Sequence, residues 1–312
     1  MSIPPSAAPF LLVASGASRL ADLARRDALV AAAAAAVEAR AGAAPEVRLS
    51  TSAAAGRAAA QDAIAAGAAL LVVVGGDGSI RTVADVLAGS GIDLGIVPAG
   101  TGNLLAAALG IPRRAAQAIA ALPSARARPI DVGRASVGPA GENLTPFIVA
   151  AGVGFDARVM AATTDRRKRS LGIAAYFATA TAVALRMRPF EVRLVVDGVA
   201  HEFDALAVLV ANAGELVPGL LRPRLPLVPD DGVLDILVAR GRGPAGGARA
   251  ALELLTGLGV HTAIGPYATR FAARHVVVET TGEPIEVDGD VVGTGRLVAE
   301  AVPGALRVLV PA

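Results

Sequence analysis

The chain has 312 residues, enough for two domains, and its net charge of +2 is too small for a dedicated nucleic-acid-binding protein. It contains no cysteine, which excludes disulfides, thiolate catalysis and cysteine-based metal sites. No apolar run reaches the length of a membrane-spanning helix, and the first residues lack the positive stretch of a signal peptide. We therefore expect a cytoplasmic protein without a nucleic-acid partner.

The first 128 residues alternate between short apolar runs and helical segments. The apolar runs lie at 9–14, 46–50, 69–74 and 93–98, and helices are predicted near 19–41, 54–67, 79–89 and after residue 103. Strands that are apolar throughout and alternate with helices are typical of a parallel sheet with both faces covered. We predict that residues 1–128 form an α/β domain with a parallel sheet.

The second part of the chain, residues 129–312, has a pattern typical of antiparallel strands. Residues 191–211 contain two strand runs around Asp197-Gly198, and an Asp-Gly pair in this position is a strong hairpin signal. Further strands are predicted at 233–239, 275–280, 284–292 and 305–310, and helices at 157–187 and 246–258. We predict a mainly antiparallel second domain, whose last strand is a candidate to pack back on the first domain.

The sequence GGDGS at 75–79 follows the third apolar run and precedes a helix. Its glycines permit close backbone approach, Ser79 is expected to cap the helix, and free N–H groups at a helix start bind anions. Asp77 would repel a phosphate unless Mg²⁺ lies between them or the carboxylate handles a proton. The alternative is a tight turn with a surface aspartate.

A second glycine turn, GTGN at 100–103, follows the fourth apolar run. If the third and fourth strands are neighbours in the parallel sheet, both turns lie at one sheet edge, where doubly wound sheets bind their ligands. The alternative is that Asn103 only caps the following helix and the glycines only turn the chain.

These motifs resemble the diacylglycerol kinase catalytic-domain superfamily, which includes bacterial lipid kinases and sphingosine kinases. The resemblance rests on GGDGS followed by PAGTGNLLAAALGIP at 98–112. It continues in order through RPIDVGR at 128–134, FIVAAGVGFDARVM at 147–160, PDDGVLDILVA at 229–239 and PIEVDGD at 284–290. The motifs therefore cover most of the chain.

The resemblance implies an NAD kinase/diacylglycerol kinase-like α/β domain, a β-sandwich second domain and an ATP site between them. It implies ATP- and Mg²⁺-dependent phosphoryl transfer to a lipid hydroxyl, on a diacylglycerol-like or sphingoid-like lipid. By resemblance, the nucleotide-binding residues are Ser15, Gly16, Gly75, Gly76, Gly78, Ser79, Gly100, Thr101, Gly102 and Asn103.

The resemblance also assigns roles to four aspartates. Asp77 is placed at the ATP–Mg²⁺ site or as the proton acceptor, and Asp231, with its neighbour Asp230, as a metal ligand. Asp290 is the second catalytic candidate, although the family has glutamate in this Asp-Gly-Glu element and aspartate is one methylene shorter. From the residues alone, Asp288-Gly289 is predicted to be a hairpin turn, and only the resemblance makes Asp290 a catalytic candidate. The first turn, VASGASR at 13–19, also lacks the family's Asn-Pro.

Two alternatives remain open at this stage. An NAD kinase-like enzyme would share GGDG, but that family also uses an Asn-Glu pair, which does not occur here. A catalytically silent nucleotide- or lipid-binding protein would share the fold without the reaction. We further expect a homodimer. We also expect a peripheral contact with anionic lipid on the inner membrane face, because the basic run 165–170 precedes the apolar segment 171–185.

Overall fold

A computed structural model of the protein describes residues 8–14, 23–138, 144–154, 157–158, 188–213, 229–256 and 267–312. The chain divides into two compact units. Unit 1 comprises Met1–Ile130 and Gly304–Ala312, and unit 2 comprises Asp131–Pro303; the sequence places the division after residue 128. The basic run 165–170 and almost all of the helix predicted at 157–187 lie outside the described residues.

Unit 1 contains a sheet of parallel strands. Its four main strands are β1 (Phe10–Ala14), β2 (Glu46–Ser50), β3 (Leu70–Gly75) and β4 (Asp93–Pro98). The order is β2-β1-β3-β4, and each neighbouring pair is parallel. The end of the chain's last strand also pairs in parallel with β4, through Arg307 and Val308. Strands β1 and β3 are completely buried, which explains why their sequences are apolar throughout.

The helices of unit 1 connect these strands. They are α1 (Leu23–Ala41), α2 (Ala53–Ala65), α3 (Asp77–Leu87), α4 (Leu104–Ala108) and α5 (Ala115–Ala121), followed by a short 3₁₀ helix (Leu122–Ser124). Helix α1 owes its length to alanine, the best helix former, and buries Ala33, Ala36 and Val37 in the core. Helix α3 begins at Asp77 with Gly76 as its N-cap. The prediction that Ser79 caps this helix is therefore wrong.

Unit 2 is built mainly from antiparallel strands around its own core. The described strands are β5 (Arg126–Val137, which begins in unit 1), β6 (Thr145–Phe147), β7 (Ala150–Gly154), β8 (Phe190–Val196), β9 (Val199–Ala211), β10 (Leu234–Arg240), β11 (Ala268–Ala273), β12 (His275–Val287) and β13 (Asp290–Val310, which ends in unit 1). Helix α6 spans Gly243–Thr256. Alternate residues such as Val192, Leu194 and Val196 point into the core. The predicted antiparallel second domain is confirmed.

Two Asp-Gly pairs form tight hairpin turns in unit 2. Asp197-Gly198 joins β8 to β9 with φ of 45° and 86°, and Asp288-Gly289 joins β12 to β13 with φ of 47° and 88°. Positive φ at both positions is the conformation that Asp-Gly favours in two-residue hairpins. The Asp288 carboxylate also accepts backbone hydrogen bonds from three consecutive residues: Ile148 (3.0 Å), Val149 (2.9 Å) and Ala150 (3.0 Å). Asp288 therefore fixes both the turn and the start of β7.

The two functions of Asp288 can be separated by substitution. Asp288→Gly removes the acceptor but tolerates positive φ, and we expect it to lower the free energy of unfolding by about 1.5–3 kcal/mol. Asp288→Ala should cost about 1–2 kcal/mol more, because alanine is strained at positive φ. The Asp197 carboxylate is exposed and accepts the backbone N–H groups of Arg274 and His275. Asp197→Gly therefore serves as the control, and we expect it to lower the free energy of unfolding by less than Asp288→Gly does. Denaturant unfolding measures all three, and equal losses for Asp288→Gly and Asp288→Ala would contradict the strain argument.

Candidate active site

The two glycine turns of unit 1 lie in direct backbone contact. Strands β3 and β4 are neighbours, and the Ala99 N–H donates to the Gly75 carbonyl oxygen at 2.8 Å. A β-carbon added to Gly100 would lie 2.6 Å from the Gly76 Cα, and one added to Gly76 would lie 3.1 Å from the Gly100 Cα. The turns can therefore approach this closely only because both residues are glycine.

Asn103 closes the second turn with its side chain. The residue is buried and has the left-handed conformation, with φ of 51°. Its Oδ1 accepts the Gly100 N–H at 3.0 Å, and its Nδ2 donates to the Gly100 carbonyl oxygen at 2.9 Å. Asn103 occupies the N-cap position of α4, but its side chain makes no capping hydrogen bond to that helix. The amide holds the shape of the turn instead.

Asp77 connects the two turns. Its Oδ1 accepts the backbone N–H of Leu104 at 2.7 Å, and its Oδ2 lies 2.8 Å from the position that a β-carbon on Gly102 would occupy. Burial raises the pKa of the Asp77 carboxyl, and backbone donors, Leu104 first among them, oppose that rise. The Asp77 carboxylate is thus directed at the start of α4. This bond explains why an acidic residue is present in a glycine turn of the kind that binds anions.

A cavity of about 490 Å³ opens beside these turns within unit 1. The ends of β1 and β2, the first turns of α2 and α3 and the second glycine turn form its walls. Of the predicted nucleotide-binding residues, Gly76, Gly78, Ser79, Gly100 and Thr101 line it. Its described lining contains no carboxylate. Backbone N–H groups at two helix starts, together with hydroxyl groups, make such a cavity suitable for an anion.

The lining residues that were not predicted from the sequence include three consecutive hydroxyl residues: Ser50, Thr51 and Ser52. The Ser52 Oγ caps α2 by accepting the Ala55 N–H at 3.2 Å, and the Ser50 Oγ donates to the Ser52 carbonyl oxygen at 2.8 Å. A run of hydroxyl residues between a strand and a helix is a recognisable helix-start signal. It could have revealed the start of α2, although the position of these residues in the cavity wall depends on the order of the strands.

The remaining predicted nucleotide-binding residues have different positions. Gly75 lies at the buried end of β3, where an added β-carbon would be 3.0 Å from the Ser79 Cβ. Gly102 packs against the Asp77 carboxylate, as described above. Ser15 and Gly16 lie outside the described residues. The roles of all these residues in binding remain predictions.

The other predicted acidic residues lie in unit 2. Asp290 is exposed at the start of β13, opposite Val287. Asp230 and Asp231 are exposed in the turn before β10, and the Asp231 Oδ1 accepts the Val233 N–H at 3.2 Å. Among the described residues, no three His, Cys, Asp or Glu side chains form a group that could hold a metal ion. A metal at Asp231 would therefore depend on few side-chain ligands from this part of the chain.

The turn at 229–232 is anchored by a buried aspartate that the sequence analysis did not single out. Asp131 accepts the Gly232 N–H at 2.7 Å through its Oδ2 and donates its own N–H to the Pro229 carbonyl oxygen at 2.6 Å. Burial raises the pKa of the nearby Asp235 carboxyl, the Arg270 guanidinium opposes this shift, and the negative charge of Asp231 adds to it. Asp231 thus lies in a locally acidic part of unit 2.

Comparisons with known proteins identify the family. Residues 24–135 match the diacylglycerol kinase catalytic domain, and residues 148–310 match the YegS C-terminal NAD kinase beta sandwich-like domain. In the described part of the chain, no helix combines the length and apolar character needed to cross a membrane.

Individual relatives agree with these matches. A Pseudomonas aeruginosa protein named "Probable lipid kinase YegS-like" is 35% identical over 76% of this chain and 75% of its own length. The Mycobacterium tuberculosis protein named "Diacylglycerol kinase" is 32% identical over 76% of this chain and 75% of its own length. The match to one longer relative, 28% identical, spans 54% of that protein.

A solved structure extends the comparison to the fold. The crystal structure of a diacylglycerol kinase from Bacillus anthracis superposes with a TM-score of 0.71 at 19% identity, covering 99% of this chain and 98% of that one. The β-sandwich character of the second domain agrees with the family match over residues 148–310. With matches over both parts of the sequence, the chain belongs to the diacylglycerol kinase catalytic-domain family of lipid kinases.

Proposed function

We propose that this protein binds ATP in the cavity of unit 1 and, with Mg²⁺, transfers the γ-phosphoryl group to a lipid hydroxyl. The observation that carries the proposal is the backbone contact between the glycine turns of β3 and β4 at the wall of that cavity. Phosphoryl transfer depends mainly on positioning and on neutralising charge. Glycine N–H groups and two helix starts supply both to a phosphate chain.

Asp77 is proposed as a catalytic carboxylate. The bond from Leu104 fixes the orientation of Oδ1, so that the other oxygen is held in a defined direction. A fixed carboxylate can accept a proton or hold a metal ion near the phosphates. Asp290 is proposed as the acid–base residue of unit 2, where its exposed side chain is open to a substrate hydroxyl.

Mg²⁺ is proposed as the metal, with Asp231 and its neighbour Asp230 as protein ligands. Both are exposed, and a carboxylate beside water suits Mg²⁺ because this ion keeps several of its water ligands. When bound, Mg²⁺ would supply neutralising charge. The Asp131 bonds to Pro229 and Gly232 would hold the turn in shape for it.

The acceptor is proposed to be a diacylglycerol-like or sphingoid-like lipid, which the name of the mycobacterial relative supports. A panel of lipid alcohols, with NAD as a further acceptor, incubated with labelled ATP would test this. Labelled lipid supports the proposal, whereas labelled NAD would favour the NAD kinase-like alternative. No labelled product would favour the silent binding protein. A homodimer, a peripheral membrane contact and the cytoplasmic location remain predictions.

Gly78 tests the phosphate site without disturbing the fold. A β-carbon there meets no atom within 4 Å, so Gly78→Ala should leave stability unchanged or raise it by about 0.5–1 kcal/mol. A phosphate close to the backbone would collide with the added methyl group. If this overpacking costs about 1–3 kcal/mol, ATP binding measured by calorimetry should be roughly 5- to 150-fold weaker. Gly247→Ala in α6 is the helix control. Wild-type ATP affinity in Gly78→Ala would contradict the site.

Asp77→Asn tests the catalytic carboxylate. The amide keeps an oxygen that can accept the Leu104 N–H but lacks the charge. We expect a folded protein that still binds ATP and has at least about 100-fold lower turnover, the scale of a lost general base. Turnover is measured with the best lipid of the panel, and near-wild-type turnover would remove Asp77 from the mechanism.

The stability of the same variant has a predicted pH dependence. Because burial raises the pKa of Asp77 above its ordinary 3.8, the folded protein binds this proton more tightly than the unfolded chain. The free energy of unfolding of the wild type should therefore fall, relative to Asp77→Asn, as pH rises from 3.8 through the folded pKa, and the difference stays constant above it. Asp77→Ala, which loses the Leu104 bond, should be less stable than Asp77→Asn at every pH. Parallel pH profiles of wild type and Asp77→Asn would refute the shift.

Asp231→Asn tests the metal. Loss of one negative ligand should raise the Mg²⁺ concentration needed for half-maximal activity, while activity at saturating Mg²⁺ is largely retained. Asp197→Asn, an exposed aspartate in another turn of unit 2, is the control. Superimposable Mg²⁺ titrations of Asp231→Asn and wild type would argue against a metal there.

A further inference from the structure

We propose that Arg81 is a phosphate ligand, whose guanidinium group binds the phosphate chain of the nucleotide in the unit 1 cavity. The proposal deepens the proposed function and rests on nucleotide binding in that cavity. It adds a specificity-determining residue to the site: a cation that favours nucleotides carrying more phosphate charge.

The position of Arg81 on α3 directs it to the cavity. Residues three and four apart lie side by side on a helix, so Arg81 and Thr82 both neighbour Gly78. All three line the cavity, and the Thr82 Oγ1 donates to the Gly78 carbonyl oxygen at 2.9 Å. The buried apolar residues of α3 form a separate stripe: Ile80, Val83, Ala84 and Leu87. Arg81 therefore belongs to the face that begins with the glycine turn.

The charge of the cavity gives Arg81 its importance. Arg81 is the single charged side chain among the described lining residues. A helix start offers only about half a positive charge, and hydroxyl and glycine N–H groups are neutral, whereas a nucleotide phosphate chain carries several negative charges. The half-buried position of Arg81 reduces water screening. The planar guanidinium group can donate two hydrogen bonds to phosphate oxygens.

Arg57 provides a matched control on the adjacent helix. It lies in α2, pairs with Asp85 of α3, and has an exposed side chain. It is not among the residues that line the cavity. Arg57→Gln and Arg81→Gln therefore remove the same charge from the same pair of helices, and only the second removes it from the cavity.

The test is calorimetric binding of ATP, ADP and adenosine to wild type, Arg81→Gln, Arg81→Lys and Arg57→Gln in the presence of Mg²⁺, with melting temperatures for each. Arg81→Gln should bind ATP about 10- to 100-fold more weakly, the cost of a lost hydrogen bond to a charged group. The loss should be smaller for ADP and absent for adenosine. Arg81→Lys, which keeps the charge without the planar fork, should lie between, and Arg57→Gln should match wild type.

Three outcomes would overturn the assignment. Equal ATP affinity of Arg81→Gln and wild type would exclude Arg81 as a ligand while leaving the proposed function intact. An equal loss for ATP and adenosine, or one that follows a lowered melting temperature in both Arg81 variants, would show a structural effect instead. Absence of ATP binding by the wild type would overturn both the proposed function and the assignment.

Discussion

The hydrogen bond from the Leu104 N–H to the Asp77 carboxylate is the interaction on which the candidate site depends. It joins two turns that follow neighbouring strands, at the place where Gly76 and Gly100 leave no room for a β-carbon. Asp77 is partly buried, which disfavours its charged form and raises the pKa of the carboxyl, and backbone donors compensate for part of that cost. The contact thus gives the acidic residue a structural function before any catalytic one.

Unit 2 uses aspartates in the same way. The carboxylates of Asp131, Asp197 and Asp288 accept backbone N–H groups that would otherwise lack a partner near a turn. The aspartates proposed for metal and proton chemistry in unit 2, Asp231 and Asp290, are exposed. In the Asp288-Gly289-Asp290 element, the first aspartate thus shapes the turn and the second faces the solvent.

Much of this arrangement could be predicted from the sequence, because the features concerned are local. The apolar runs of β1 to β4 and the Asp-Gly hairpins follow from chain patterns that need no knowledge of neighbours. The start of α3 could not be predicted correctly, since Ser79 is the better capping residue by type and Gly76 caps by conformation alone. The contribution of Ser50 and Ser52 depends on the sheet order, which places the end of β2 near the end of β3 across β1.

Helix α3 shows how closely spaced residues can serve separate purposes. Its first residue, Asp77, reaches the second glycine turn. Because the helix has 3.6 residues per turn, Gly78, Arg81 and Thr82 lie on one face and line the cavity, while the apolar stripe on another face packs in the core. The Asp77 carboxylate is held by Leu104 and is not among the residues that line the cavity, whereas Arg81 of the same helix is one of them. A turn that contains an acidic residue can in this way border a cavity suited to an anion.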